Sequence, residues 1–356
     1  MTGALGSSGA KIRIEGRAGR ITLDRPAALN ALTHDMVTDI DAALRDWAGD
    51  HRVALVLIDA AGEKAFCAGG DIADLHATGM AGDFAYGRRF WRDEYRLNAL
   101  LAGYGKPVVS LLQGYTMGGG VGVGCHGSDR VVCEDSRIAM PEVGIGLVPD
   151  VGGSLLLARA PGRLGTYLGL TAARMGPGDA ILVGFADHFV PRADWPALAA
   201  ALCETGDAAL VRGAARPAPD AALAPQRDAI DACFTAPELE GIVASLRMRD
   251  DDWARATLDA MGRMSPLAMA CAVELLARLR ADPSADMAEA LALEYRFTSR
   301  AMEQGDFLEG VRAAVIDKDR APRWRHAAPD GVPAAEVAAM LAALGENALI
   351  LDGEPA

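Results

Sequence analysis

GYTMGGGVGVGCHG, residues 114–127, is the stretch on which the reading of this chain turns. It continues the apolar run PVVSLLQG (107–114) and leads into two short strand-like runs, VVC (131–133) and RIAM (137–140). Residues 107–128 are uncharged for long enough to suggest a membrane span, but seven glycines, a proline, Ser110, Gln113 and His126 argue for a buried strand, a loop and a short helix. Two further Gly-rich stretches, AFCAGGDI (65–72) and MPEVGIGLVPDVGGS (140–154), also follow strand-like runs. Glycine lets a backbone N–H approach a ligand closely and adopt positive φ. Any one of these loops could simply be a turn. Three of them after successive strands gather at one sheet end, where α/β proteins build their sites.

Outward from this centre, VALVLID (53–59) reads as another buried strand, and KIRIE (11–15) and RITLD (20–24) as an antiparallel pair around a Gly19 turn. Between them, residues 33–48 carry Met36, Val37, Ile40, Ala43, Leu44 and Trp47 on one helical face, with Thr33 as N-cap. A second helix is expected over about 84–101. Strands alternating with helices predict an α/β domain with mainly parallel pairing. From 152 onward the pattern is helical, interrupted by RPAPDAALAP (216–225). Ser265 and Pro266 open a helix to about 280. Asp286 and Glu289 have capping-box spacing ahead of the face Met287, Leu291, Tyr295, Thr298 and Met302. After about 325 there is one short helical pattern and a polar end.

Length and composition fit a soluble protein of one or two domains: 356 residues, 51% hydrophobic and 23% charged. The formal charge of −13 argues against a nucleic-acid or anionic-membrane surface as the main partner. Cys67, Cys125, Cys133, Cys203, Cys233 and Cys271 form no C-x-x-C pair and have no zinc-like spacing to histidine, so reduced thiols in the cytoplasm are expected. MTGALGSSGA, residues 1–10, reads as a loose tail and not as a signal peptide.

The chemistry concentrates in the Gly-rich loops. Gly70, just after its strand, and Gly119, at the start of a helix, could supply two converging N–H donors. Such a pair is an oxyanion hole, which stabilises negative charge developing on an acyl or thioester oxygen. Glu142 and Asp150 lie in an otherwise apolar loop, and a partly desolvated acid exchanges protons near neutrality, as a general acid or base must. Each also has a plain structural use, Glu142 in a turn after Pro141 and Asp150 as a cap for a helix starting at Val151. GVGCHG (122–127) matches G-x-G-x-x-G, with Glu142 twenty residues after Gly122. A dinucleotide fold needs a full helix before its next strand, and VVC at 131 leaves space for about two turns. No G-x-S-x-G, H-E-x-x-H or P-loop is present. His126 reads as a helix-packing residue and Cys67 as a structural thiol.

Together with LDRPAALNAL (23–32), these loops resemble the enoyl-CoA hydratase/isomerase (crotonase) superfamily over most of residues 11–200. Within it, FWRDEYRLN (90–98), TMGGGVGVGCHG, MPEVGIGLVPDVGGS and DFLEGVRAAVIDKDRAPRW (306–324) resemble the branch of 3-hydroxyisobutyryl-CoA hydrolases. The resemblance implies an α/β, crotonase-like ββα spiral core over 11–200 that binds acyl-CoA. A helical C-terminal region over 201–325 would cover the site or mediate assembly, and 326–356 would form a tail. It places the oxyanion-hole donors at Gly70 and Gly119, the catalytic carboxylates at Glu142 and Asp150, and a substrate-contacting acid at Glu94. Ala68 and Asp71 would line the adenine side, and Arg25 would face the CoA phosphates. Hydratases of the superfamily carry a second glutamate two residues after the Gly triplet, where this chain has Gly122. The implied activity is therefore hydrolysis of an acyl-CoA thioester, as in valine breakdown. Hydration or isomerisation of an enoyl-CoA is the alternative, and non-catalytic acyl-CoA binding a third. No cofactor beyond the substrate's CoA is implied; the partner is a small acyl-CoA, with homo-oligomers common in the superfamily.

Overall fold

The computed structural model describes residues 9–351. Of the tail expected over 1–10, only Gly9 and Ala10 lie within the described residues, and Ala10 already pairs with Leu23 in a sheet.

The chain begins with strands β1 (Ala10–Glu15) and β2 (Ala18–Leu23), which pair antiparallel through a turn at Gly16 and Arg17. The turn is not at Gly19, which sits inside β2; Gly16 has φ +58, the left-handed conformation glycine adopts without cost. Helix α1 (His34–Ala48) follows, with the Thr33 hydroxyl accepting from the Met36 N–H at 3.2 Å. Next come β3 (Leu55–Ala60), β4 (Ala65–Cys67), α2 (Ile72–Met80) and α3 (Phe84–Ala102). Then come β5 (Val108–Leu112), β6 (Tyr115–Met117), α4 (Gly119–Gly124), β7 (Asp129–Val132) and β8 (Arg137–Ala139).

These strands alternate between two sheets. The larger has the order β1-β2-β3-β5-β7-β9, where β9 is His188–Phe189, and is parallel from β2 onward; the smaller is β4-β6-β8, all parallel. Each of the pairs β3/β4, β5/β6 and β7/β8 gives one strand to each sheet, which is the expected ββα spiral. The alternation also corrects one expectation. The Gly-rich loops do not follow the long apolar strands. They follow the three-residue strands AFC, YTM and RIA; RIA lies in the run RIAM already read as a strand, whereas AFC and YTM are too short to read as strands by periodicity. Because β4, β6 and β8 are parallel neighbours, with Cys67 beside Thr116 and Thr116 beside Ile138, the segments leaving them emerge side by side.

The large sheet is covered on both faces. Val56 and Ile58 pack into the main core with α1, while Leu55 and Leu57 join Val109, Leu111 and Val131 against Trp195, Leu198 and Leu202. The two-residue alternation of side chains explains why VALVLID is apolar without a break.

After β8 the chain is helical: α5 (Gly153–Arg159), α6 (Leu164–Thr171), α7 (Pro177–Leu182), then α8 (Trp195–Thr205) and α9 (Leu210–Ala214). Residues 216–225 form a loop carrying a single short turn, as expected, before α10 (Arg227–Cys233), α11 (Leu239–Arg247) and α12 (Asp252–Met261). Helix α13 (Pro266–Ala281) is capped by Ser265, and α14 (Met287–Gln304) carries the expected capping box. Helices α15 (Phe307–Val311) and α16 (Ala334–Met340) complete the chain. Helix α14 packs along α3, bringing the C-terminal region against the helix that bears Glu94.

Candidate active site

The three loops leaving β4, β6 and β8 enclose a cavity of about 200 Å³ with α2 and α3. Ala68 and Gly70 come from the first loop, Gly118 and Gly119 from the second, and Glu142, Asp150 and Val151 from the third. Phe90, Trp91 and Glu94 of α3 close one side, with Ile72 and Leu75 of α2. Six of the proposed residues thus meet in one place: Ala68, Gly70, Gly119, Glu94, Glu142 and Asp150. The only titratable groups in the lining are the three carboxylates.

Gly70 and Gly119 donate their N–H groups to no acceptor among the described residues. Gly119 opens α4, so its N–H has no partner within the helix. A Cβ built on Gly119 would lie 3.3 Å from the Gly70 nitrogen, so the two loops are in contact at this point. The same Cβ would lie 2.6 Å from Glu94 Oε1, and one on Gly118 would lie 2.8 Å from Glu142 Oε1. Two carboxylates therefore press against the glycine backbone, and side chains at 118 or 119 would push them away.

Glu142 begins a short 3₁₀ turn directly after Pro141. Its Oε2 is buried without a hydrogen-bond partner, as is Glu94 Oε1. An orphaned buried carboxylate oxygen costs free energy unless a proton or a ligand meets it. Burial holds both carboxyls well above their ordinary range, and the charge of Asp150 adds to the shift in each. Burial likewise raises Asp150, to about 7, while the Tyr95 hydroxyl, donating to Asp150 Oδ2 at 2.8 Å, opposes the rise. The charge of Asp150 bears on Glu142, and carboxyls raised by burial are suited to accept and give protons.

Asp150 does not cap α5. The helix starts at Gly153, and the intervening Val151 and Gly152 both have positive φ, +53 and +77. For a β-branched residue such as Val151 this conformation is strained by roughly 1–3 kcal/mol. His126 Nε2 lies 2.7 Å from the Val151 carbonyl. Burial lowers this imidazole to about 4, so it is neutral near pH 7 and donates to that oxygen. His126 thus supports the Asp150 turn.

The remaining sequence candidates fall at the margin. Arg25 and Asp71 pair with each other at 2.9 Å, and Arg25 also donates to the Ala31 carbonyl at 2.6 Å. The guanidinium is thus already engaged at the mouth of the 68–72 loop. Cys67 is buried with its thiol raised to about 12, an inert structural thiol. Gly122 sits where a Cβ would meet Asn98 Nδ2 at 2.6 Å and Val151 Cβ at 3.0 Å, so Asn98 and Val151 already occupy the space of a side chain there.

Two participants escaped the sequence reading. Tyr95 lies beside Glu94 within FWRDEYRLN and points to Asp150. Glu294, fully buried on α14, binds the backbone just after Asp150. A signal for Glu294 existed: it lies three residues after Leu291 and four before Thr298, on the inward helical face, where a lone acid is out of place.

Residues 18–341 match the sequence family described as Enoyl-CoA hydratase/isomerase. The chain belongs to this family and is an enzyme of it. A mitochondrial 3-hydroxyisobutyryl-CoA hydrolase of Danio rerio is 38% identical over 350 residues, 94% of this chain and 90% of that protein. Among solved structures, one reported as an enoyl-CoA hydratase from Rhodobacter sphaeroides is 60% identical with a TM-score of 0.93, covering 96% of this chain and all of that one. One reported as a carnitinyl-CoA dehydratase from Mycobacterium thermoresistibile is 41% identical with a TM-score of 0.92, covering 98% of this chain and all of that one.

Proposed function

We propose that this enzyme hydrolyses an acyl-CoA thioester of the 3-hydroxyisobutyryl-CoA type, giving 3-hydroxyisobutyrate and CoA, as in valine breakdown. The observation that carries the reading is the filled space at Gly122. A hydratase of the usual two-glutamate kind needs a second carboxylate there, and Asn98 and Val151 leave no space for one. What remains, two free N–H groups with Glu142 and Asp150 beside them, suffices for attack at a thioester carbonyl.

In this mechanism the thioester oxygen accepts from the Gly70 and Gly119 N–H groups, which stabilise the charge as the carbonyl carbon becomes tetrahedral. Glu142 takes a proton from the attacking water, or attacks the carbon itself to form a mixed anhydride that water then cleaves. The C–S bond breaks as the tetrahedral centre collapses, and the departing sulfur takes a proton from Asp150. The hydroxyl on the acyl group would hydrogen-bond to Asp150 before that step. Binding of the CoA arm holds the carbonyl against the two glycines. The reaction needs no group beyond the CoA of its substrate. The six buried thiols suit a reducing compartment, and we place the enzyme in the cytoplasm; the Danio rerio relative's name puts that protein in mitochondria.

The solved relatives' names favour a second reading, hydration of an enoyl-CoA by Glu142 and Asp150. A substrate comparison tests the role given to Asp150. Asp150→Asn should lower kcat/KM for 3-hydroxyisobutyryl-CoA by roughly 10²-fold and for isobutyryl-CoA by clearly less, since a protonated acid serves both but the hydroxyl contact only one. Equal losses on the two esters would remove Asp150 from hydroxyl recognition.

A further inference from the structure

The loop that carries Asp150 is held from outside the spiral core, by a carboxylate of the C-terminal helical region. Glu294 Oε2 accepts the Gly152 N–H at 3.0 Å, and its Oε1 accepts the Ser154 N–H at 3.3 Å together with the Ser154 hydroxyl. All three donors lie within four residues of Asp150. Between them sits the strained Val151, whose carbonyl is bonded by His126. A turn with two consecutive left-handed residues persists only where its surroundings over-determine it, and Glu294 supplies three of the bonds that do so.

A neutral side chain could have bound two N–H groups and a hydroxyl. The chain instead buries a fourth carboxylate beside Glu94, Glu142 and Asp150, with no cation paired to it among the described residues. Tyr95 of α3 links the two sides, donating to Asp150 and lying 3.4 Å from Thr298, one helical turn beyond Glu294. The charged and titratable groups facing Glu294 are Asp150 and Glu142 from the third loop, Glu94 and Tyr95 from α3, and the neutral His126 beyond Gly152. Helix α5 contributes only the Ser154 donors.

We infer that Glu294 is a positioning residue for Asp150: its carboxyl group clamps the turn at Gly152 and Ser154 and so fixes where Asp150 stands in the cavity. The inference rests on the proposed use of Asp150 in turnover, and it makes α14 part of the working site.

The experiment is a double-mutant cycle on kcat and KM with the wild type, Glu294→Gln, Asp150→Asn and the double variant, measured on 3-hydroxyisobutyryl-CoA, or on crotonyl-CoA where the wild type turns over only that ester. Glu294→Gln should lower kcat roughly tenfold with little change in KM, because the loosened turn misplaces Asp150. In the Asp150→Asn background the same change should cost little, since the group it positions is already lost. Ser154→Ala, which removes one of the three bonds, should show the same coupling at smaller size, and serves if Glu294→Gln does not fold. A loss as large in the Asp150→Asn background as in the wild type would reduce Glu294 to a structural anchor and overturn the inference. A wild type that hydrates without releasing thiol would instead overturn the hydrolase reading and leave this test standing.

Discussion

Glu142→Gln should abolish thiol release while acyl-CoA binding stays near normal. Glutamine fills the same space beside Pro141 and Gly118, so the cavity keeps its shape, but it can neither accept a proton from water nor attack a carbonyl. The loss of a positioned base or nucleophile corresponds to a fall in kcat of roughly 10²–10⁴-fold. Binding, followed by calorimetry with a CoA ester, should change little because glutamine keeps the size and shape of the side chain. The same variant should be more stable than the wild type, by about 0.5–2 kcal/mol. Burial holds the folded-state pKa of Glu142 above its unfolded value. Its contribution is therefore largest below the unfolded carboxylate range and is lost as pH rises through the folded pKa. Glutamine has no charge to desolvate, so the gain should be larger at pH 8 than at pH 5. A variant that keeps its activity would remove Glu142 from the chemistry, and one that gains no stability would contradict the buried, unpaired carboxylate.

Gly119→Ala should cost roughly 10²–10³-fold in kcat, the usual effect of spoiling one oxyanion-hole donor. The added methyl would stand 2.6 Å from Glu94 Oε1 and 3.3 Å from both the Gly70 nitrogen and Leu32 Cδ1. Something has to move, and all three neighbours belong to or border the site. Because the hole acts on charge that develops during reaction, kcat should fall more than affinity for the ground-state ester. Gly103→Ala is the control: its nearest neighbour would be the Ala99 carbonyl oxygen at 3.6 Å, an ordinary contact, and activity should hold. Equal tolerance of the two substitutions would mean that the Gly119 N–H does not meet the substrate.

The parts legible in the sequence were those written in local pattern. Thr33, Ser265 and the Asp286/Glu289 box mark helix starts that the structure places where expected, because caps act within four residues. VALVLID and PVVSLLQG are buried on both faces and read as strands for that reason. Of the small sheet only RIA, within RIAM, was legible, since AFC and YTM are too short to show a period and the pairings join strands some 50 and 22 residues apart. The glycine loops and the residues Gly70, Gly119, Glu142 and Asp150 stood out because glycine and acid in apolar surroundings are unusual. Tyr95 did not, and Glu294 showed only as an acid on an inward helical face; their partners, Asp150 for Tyr95 and the Gly152–Ser154 turn for Glu294, come from distant parts of the chain. Arg25, singled out by its segment, pairs with Asp71 of the first glycine loop.

The most direct test of hydrolysis as the activity is a side-by-side assay of the wild type: thiol release from 3-hydroxyisobutyryl-CoA, and loss of the conjugated double bond of crotonyl-CoA. The expected result is thiol release that Glu142→Gln eliminates, with no hydration of crotonyl-CoA. Hydration without thiol release would contradict it, and would mean that Glu142 and Asp150 add water to a double bond without a carboxylate at position 122.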